Sequence, residues 1–255
     1  MSTATYVCTA LAGSNKAGVL KPDENGYYTV VLGALDVYNS AGAFYPFESA
    51  KQIFKESSSL MRRIASGALR GEYGHPKKQP GMTMRDFVQR ILEIHEENVC
   101  CHIKEVTIDY TSVKDKAGKP VIAIIGKVKP GGPMGNVLRE SLENPNENVC
   151  FSIRSLTHDM PVAGTIHKNL RTVVTWDYVN EPGLSAAMKW NSPSLESVSD
   201  DIYITAQQLG SVRDWQASAC VSMESSGGVN ADEVLKDFGW SMESQKENVP
   251  PSSKW

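Results

Sequence analysis

The 255-residue sequence predicts an α+β fold, mainly antiparallel β-structure closed as a barrel or packed as a sandwich, with a few helices around it. Three observations carry that reading. Stretches rich in Val, Ile, Thr and Tyr recur along the chain, apolar residues at helical spacing are confined to a few short segments, and the two kinds do not alternate as βαβ units would require.

The elements follow in order. An Asn25-Gly26 turn leads into a strand over 27–38. Over 48–64, Ala50, Ile53, Phe54, Met61 and Ile64 repeat with helical period, between Pro46 ahead and Gly67 behind. The run Gly71-Glu72-Tyr73-Gly74-His75-Pro76 predicts a tight loop. A second helix is expected over 84–96, with Phe87, Ile91 and Ile94 on one face, then strands over 100–110 and 121–128 joined through Ala117-Gly118-Lys119-Pro120. After a Gly/Pro loop at 130–135 come one or two helical turns at 136–143, a strand around Ser152 and another over 170–179, closed by Glu181-Pro182-Gly183. Residues 200–212 and 216–221 predict further strands and 231–238 a short helix. The chain divides into a domain over 1–239 and a polar tail over 240–255, which carries Pro250-Pro251 and several serines and predicts disorder.

Composition narrows the function. With 41% apolar and 22% charged residues the chain is an ordinary globular sequence, and a net charge of −3 without a long Lys/Arg cluster argues against nucleic acid as its main ligand. The longest apolar runs, such as 121–125, are too short to cross a bilayer, so no membrane partner is expected, and no basic segment precedes an apolar stretch at the N-terminus as secretion would need. Five cysteines, at 8, 100, 101, 150 and 220, form no CxxC pair and predict reduced thiols.

The chemistry concentrates at Val149-Cys150-Phe151-Ser152-Ile153-Arg154-Ser155. Alternation along a strand puts Ser152 and Arg154 on one face and Phe151 and Ile153 on the other. A hydroxyl beside a fixed cation suits acyl transfer, although a serine next to an arginine is also what a solvated sheet face presents. Cys150 shares that face and is read as a small core residue. A serine nucleophile needs a base and a group that orients the base. Of the histidines at 75, 95, 102, 158 and 167, His75 lies in an irregular loop, where functional side chains concentrate. His95 reads as solvated, and His102 is ambiguous. Asp177 ends the apolar run Thr172-Val173-Val174-Thr175-Trp176, where a carboxylate is costly without a partner.

The sequence Gly71-Glu72-Tyr73-Gly74-His75-Pro76, then Phe151-Ser152-Ile153-Arg154-Ser155, then Trp176-Asp177-Tyr178-Val179-Asn180-Glu181-Pro182 resembles the prohead core proteases of large tailed bacteriophages. Their pattern is Gly-Glu-Leu-x-His-Pro, Ser-Ser-Arg-Gly, and an apolar strand ending in Asp-x-Val-x-x-Pro. Asn39 and Tyr45-Pro46 ahead of a helix resemble a further family element, so the likeness spans residues 27–185, with 186–239 as a C-terminal extension. The family's second serine is Ile153 here and its glycine is Ser155, which leaves Ser152 as the serine to carry over.

The resemblance implies a serine endopeptidase of Ser-His-Asp type with a herpesvirus assemblin-like fold, a β-barrel surrounded by helices. Ser152 would be the nucleophile, His75 the base, Asp177 the orienting acid and Arg154 a support of the oxyanion site; His102 would stand behind them as a second layer. It implies no cofactor and no metal. It also implies action in the host cytoplasm, inside the prohead, on scaffold or core proteins and the major capsid protein, and is compatible with a homo-oligomer. Relatives of this kind are expected to cut after glutamate. Ser194-Leu195-Glu196, Ser222-Met223-Glu224 and Ser241-Met242-Glu243 are each followed by serine, and self-cleavage is expected after Glu243 ahead of Glu224 or Glu196. Two other classes stay open: a catalytically silent structural or scaffold protein of the same fold, and a metal module on Cys100, Cys101, His102 and Cys150, whose adjacent cysteines lack the spacing of a tetrahedral site.

Overall fold

The computed structural model describes residues 3–13, 20–38, 42–55, 58–114, 118–147, 149–179, 202–219 and 227–240. Two sheets form the frame. The larger contains β1 (Thr3–Gly13), β3 (Val37–Tyr38), β4 (Phe44–Tyr45), β8 (Val149–Val162), β9 (Thr165–Val179) and β10 (Ile202–Thr205), in the order β10-β1-β8-β9-β4-β3. Its neighbours are antiparallel except β4 and β9, which run parallel. The smaller is antiparallel, β2-β7-β6-β5, from β2 (Tyr28–Leu35), β5 (Arg70–Glu72), β6 (Val99–Asp109) and β7 (Ile122–Pro130).

The α+β class holds, but the expected closed barrel does not form: the strands divide into two open sheets. Among the described residues one parallel β-bridge, Tyr73 to Tyr178, joins them where the chain leaving β5 runs onto β9. With the Glu72 N–H on Asp177 and the Thr175 hydroxyl on the Arg70 carbonyl, it positions the site.

Helices complete the frame. They are α1 (Phe47–Ala50), α2 (Ser59–Ala65), α3 (Met84–Leu92), α4 (Gly135–Glu143), α5 (Ala206–Ser218) and α6 (Ala231–Asp237), with a 3₁₀ turn at Glu96–Asn98. Phe151, Ile153, Trp176 and Tyr178 share one core with Leu32, Ile103 and Val128 of the smaller sheet. Leu156 and Val174 belong to a second core, with Phe87 and Ile91 of α3, Leu209 and Val212 of α5 and Val234 of α6. The parts of β8 over 149–157 and of β9 over 172–179 are thus buried on both faces.

Three local expectations are corrected. The single helix over 48–64 is two short helices, because the Ser58 hydroxyl accepts the Met61 N–H and starts α2 afresh. The strand over 27–38 ends at Leu35, since Asp36 takes a left-handed φ of 54° and turns the chain into β3. The strand expected over 200–212 lasts four residues; Thr205 and Gln208 then form a capping box that opens α5 and carries helix through Ser218, where a further strand was expected.

Candidate active site

Ser152 and Asp177 face each other directly across the β8–β9 ladder. Paired residues of an antiparallel ladder put their side chains on the same face. Here it is the helix side, opposite Phe151 and Trp176, and both side chains are fully buried. The ladder therefore fixes hydroxyl and carboxylate as neighbours before any side-chain contact is made.

His75 arrives from the other sheet. Beyond β5, Tyr73 donates its N–H to the Asn98 carbonyl at 2.8 Å and Gly74 donates to the Tyr178 carbonyl at 2.7 Å, which pins the segment along β9. Gly74 holds a φ of 81°, a conformation that a side chain would strain. Gly71 is required for a different reason: a Cβ there would stand 2.3 Å from the Trp176 carbonyl oxygen and 2.8 Å from the Cys101 sulfur. The close approach of β5 to β9 depends on that missing atom.

The result is a 3.0 Å hydrogen bond between His75 Nδ1 and Asp177 Oδ2. An ionised carboxylate only accepts, so Nδ1 carries the proton and Nε2 the lone pair. His75 is largely buried, its side chain 13% exposed. The Ser152 hydroxyl is buried and makes no hydrogen bond among the described residues.

Asp177 is held from every side. Arg154 grips both its oxygens, Nε to Oδ2 and Nη2 to Oδ1, each at 2.8 Å, and the Glu72 N–H donates to Oδ1 at 3.0 Å. Burial pushes the Asp177 carboxyl up, but the Arg154 guanidinium and His75 more than offset it and hold it below the usual carboxylate range. Arg154 shows the converse balance. Burial lowers its proton affinity, and Asp177 and Glu72 raise it further than burial lowers it.

Of the four residues singled out in the sequence, His75, Arg154 and Asp177 are joined by hydrogen bonds and Ser152 faces Asp177 across the ladder, while the Ser152 hydroxyl makes no hydrogen bond to the His75 ring. The guanidinium of Arg154 does not extend toward a substrate: it is fully buried and bonds Asp177, Glu72 and the Glu93 carbonyl, the last at 2.7 Å. Its support therefore passes through Asp177. His102 stands apart from the cluster, bonded to the Tyr27 hydroxyl and the Gly67 carbonyl, both at 3.0 Å, because it is placed on β6 opposite Arg70. Cys150 is a buried thiol, pushed up to about 11 by burial, which keeps it protonated and unreactive. Glu196, Glu224 and Glu243 lie outside the described residues.

Two residues were missed. Glu72, quoted in the loop motif without a role, is fully buried and ion-paired to Arg154 and Arg90. The signal was a glutamate between Gly71 and Tyr73, three residues ahead of the histidine. Arg90, on α3, carried none beyond helical charge. Among the described residues no group of three or more His, Cys, Asp or Glu is placed to hold a metal ion, and no helix is long and apolar enough to cross a membrane.

The chain belongs to the Peptidase S80 family, which it matches over residues 6–234. It is 40% identical over 247 residues to the capsid maturation protease of Pseudomonas phage phiKZ, covering 94% of this chain and 90% of that protein. The solved structure of the bacteriophage T4 capsid assembly protease is similar at 12% identity and a TM-score of 0.46, over 69% of this chain and 98% of that one. The family match and the phiKZ relative bear out the resemblance to prohead proteases.

Proposed function

We propose that the chain is a serine endopeptidase of phage capsid maturation, with Ser152 as nucleophile, His75 as general base and Asp177 as the acid that orients it. The observation that carries this reading is the 3.0 Å His75–Asp177 bond, made by an aspartate that faces Ser152 across the ladder. With Nδ1–H committed to Asp177, Nε2 takes the serine proton as Oγ attacks the scissile carbonyl. It then returns that proton to the leaving amine, and water clears the acyl-enzyme by the same route. Arg154 is a positioning residue that keeps Asp177 ionised and turned toward the ring.

Proteolysis inside the prohead of scaffold or core proteins and of the major capsid protein is inferred from the relative's name and the family resemblance. Cleavage after glutamate, and self-cleavage after Glu243 that releases 244–255, are inferred from the three Ser-x-Glu-Ser sequences.

The test is turnover of a Ser-Met-Glu-Ser peptide by purified protein, together with its intact mass. Ser152→Ala and His75→Ala are expected to lose about 10⁴-fold or more in kcat, and the Ser152→Ala chain should keep residues 244–255 while the active one sheds them. Undiminished turnover by Ser152→Ala would sink the mechanism; identical C-termini in the two proteins would sink self-cleavage.

A further inference from the structure

One buried carboxylate has no part in the steps above. Glu72 is fully buried and lies between two arginines: Arg90 Nη1 donates to its Oε1 at 3.0 Å and Arg154 Nη2 stands 3.2 Å from the same oxygen. Arg90 Nη2 also donates to Oε2 at 2.5 Å, and the His95 backbone N–H donates to Oε1 at 2.8 Å. Its own N–H is one of the donors on Asp177. The same residue thus orients Asp177 through its backbone and grips Arg154 through its side chain.

We propose that Glu72 is a positioning residue for the Ser152 reaction, sharing Arg154 with Asp177 so that the negative field on His75 survives the arginine's grip, with Arg90 as counter-ion. This rests on the proposed serine mechanism. An aspartate held bidentately by one arginine is nearly neutral as a pair, and a neutral pair does little to stabilise the imidazolium that forms during attack. Two carboxylates on one guanidinium carry a net charge of −1. The compensating Arg90 sits at the rim of the cluster with its side chain 14% exposed, whereas Glu72, Arg154 and Asp177 are fully buried. Solvent at that rim screens the charge of Arg90 more than it screens the fully buried Arg154 and Asp177.

Other polar groups also face the cluster. Glu93 and His95 border it beyond α3, Cys100 approaches Asp177 from β6, and Tyr6 approaches Arg154 from β1. His95 is paired at the surface with Glu93 and Glu97.

The experiment is the pH dependence of kcat/KM for wild type, Glu72→Gln and the double variant Glu72→Gln/Arg90→Met, beside Ser152→Ala. Loss of the Glu72 charge makes imidazolium harder to form. The acid limb should therefore move to lower pH by roughly half a unit to one unit, kcat should fall about tenfold, and KM should stay within about twofold, since no substrate contact is removed. The double variant removes the cation left without a partner, and it decides the matter if Glu72→Gln alone does not fold; its limb should still be displaced, by less. An unmoved acid limb in whichever variant is folded overturns the proposal and leaves Glu72 a structural ion-pair partner. Retained turnover by Ser152→Ala would instead overturn the serine mechanism, so the two failures are distinct.

Discussion

A carboxylate fully buried in a sheet is tolerated only when its charge is met, and Asp177 is met four times: by two arginine nitrogens, a ring nitrogen and a backbone amide. The linkage to pH follows from its folded-state pKa lying below the ordinary 3.8. The stability it contributes is complete above the unfolded value and is lost as pH falls below 3.8 through the depressed folded value. Asp177→Asn should thus be clearly less stable than wild type near neutrality, by about 3 to 5 kcal/mol for a broken buried pair. Urea titrations should converge as the pH drops below that range, and a stability gap of constant size down to the most acid conditions would contradict it. This residue was legible beforehand, because an aspartate closing an apolar strand has to have a partner. Arg154 was legible as a neighbour but not in its task, since strand parity gives a side chain's face and not the group it bonds.

At the scale of elements, α2 is tied to the larger sheet by a residue of its own. Arg63 is buried and donates to the carbonyls of Val173 at 2.7 Å, Val174 at 2.6 Å and Gly227 at 3.1 Å. No carboxylate bonds this guanidinium among the described residues, and burial brings its pKa down to about 10. Arg63→Leu would strand carbonyls that the arginine now satisfies, at a cost of about 2 to 4 kcal/mol. Chemical denaturation should show that loss with α2 and β9 both affected in hydrogen exchange; a change within experimental error would mean that the ladder and water satisfy those groups unaided. Arg63 could not be read in advance, for it lies inside a helical pattern where arginine usually marks solvent. The helices α3, α4 and α6 were legible because each buries one stripe, with Phe87, Val88, Ile91 and Leu92 as an example. The helix α5 was not: it buries Gly210 and Gln216 beside Leu209 and Val212, and it follows the strand-forming Ile202-Tyr203-Ile204 without a break. The sequence left barrel and sandwich both open, because the alternation of a strand reports burial and not which partner provides it.

For the molecule as a whole, the proposed site needs both sheets. Ser152 and Asp177 are 25 positions apart on adjoining strands, whereas His75 and Asp177 are separated by 102 and meet across the inter-sheet bridge. Closing the longer loop costs about 1 kcal/mol more than closing the shorter one, and non-local pairings are expected to be the slower to form. In interrupted refolding, peptidase activity should return with the slowest fluorescence phase of the tryptophans; activity ahead of that phase would refute the order. On that order, the parallel bridge from Tyr73 to Tyr178 would be the step that completes the proposed site. Under the proposed mechanism, a half-folded copy would hold its alcohol and acid in place yet have no imidazole to fire them, and would be silent toward its neighbours.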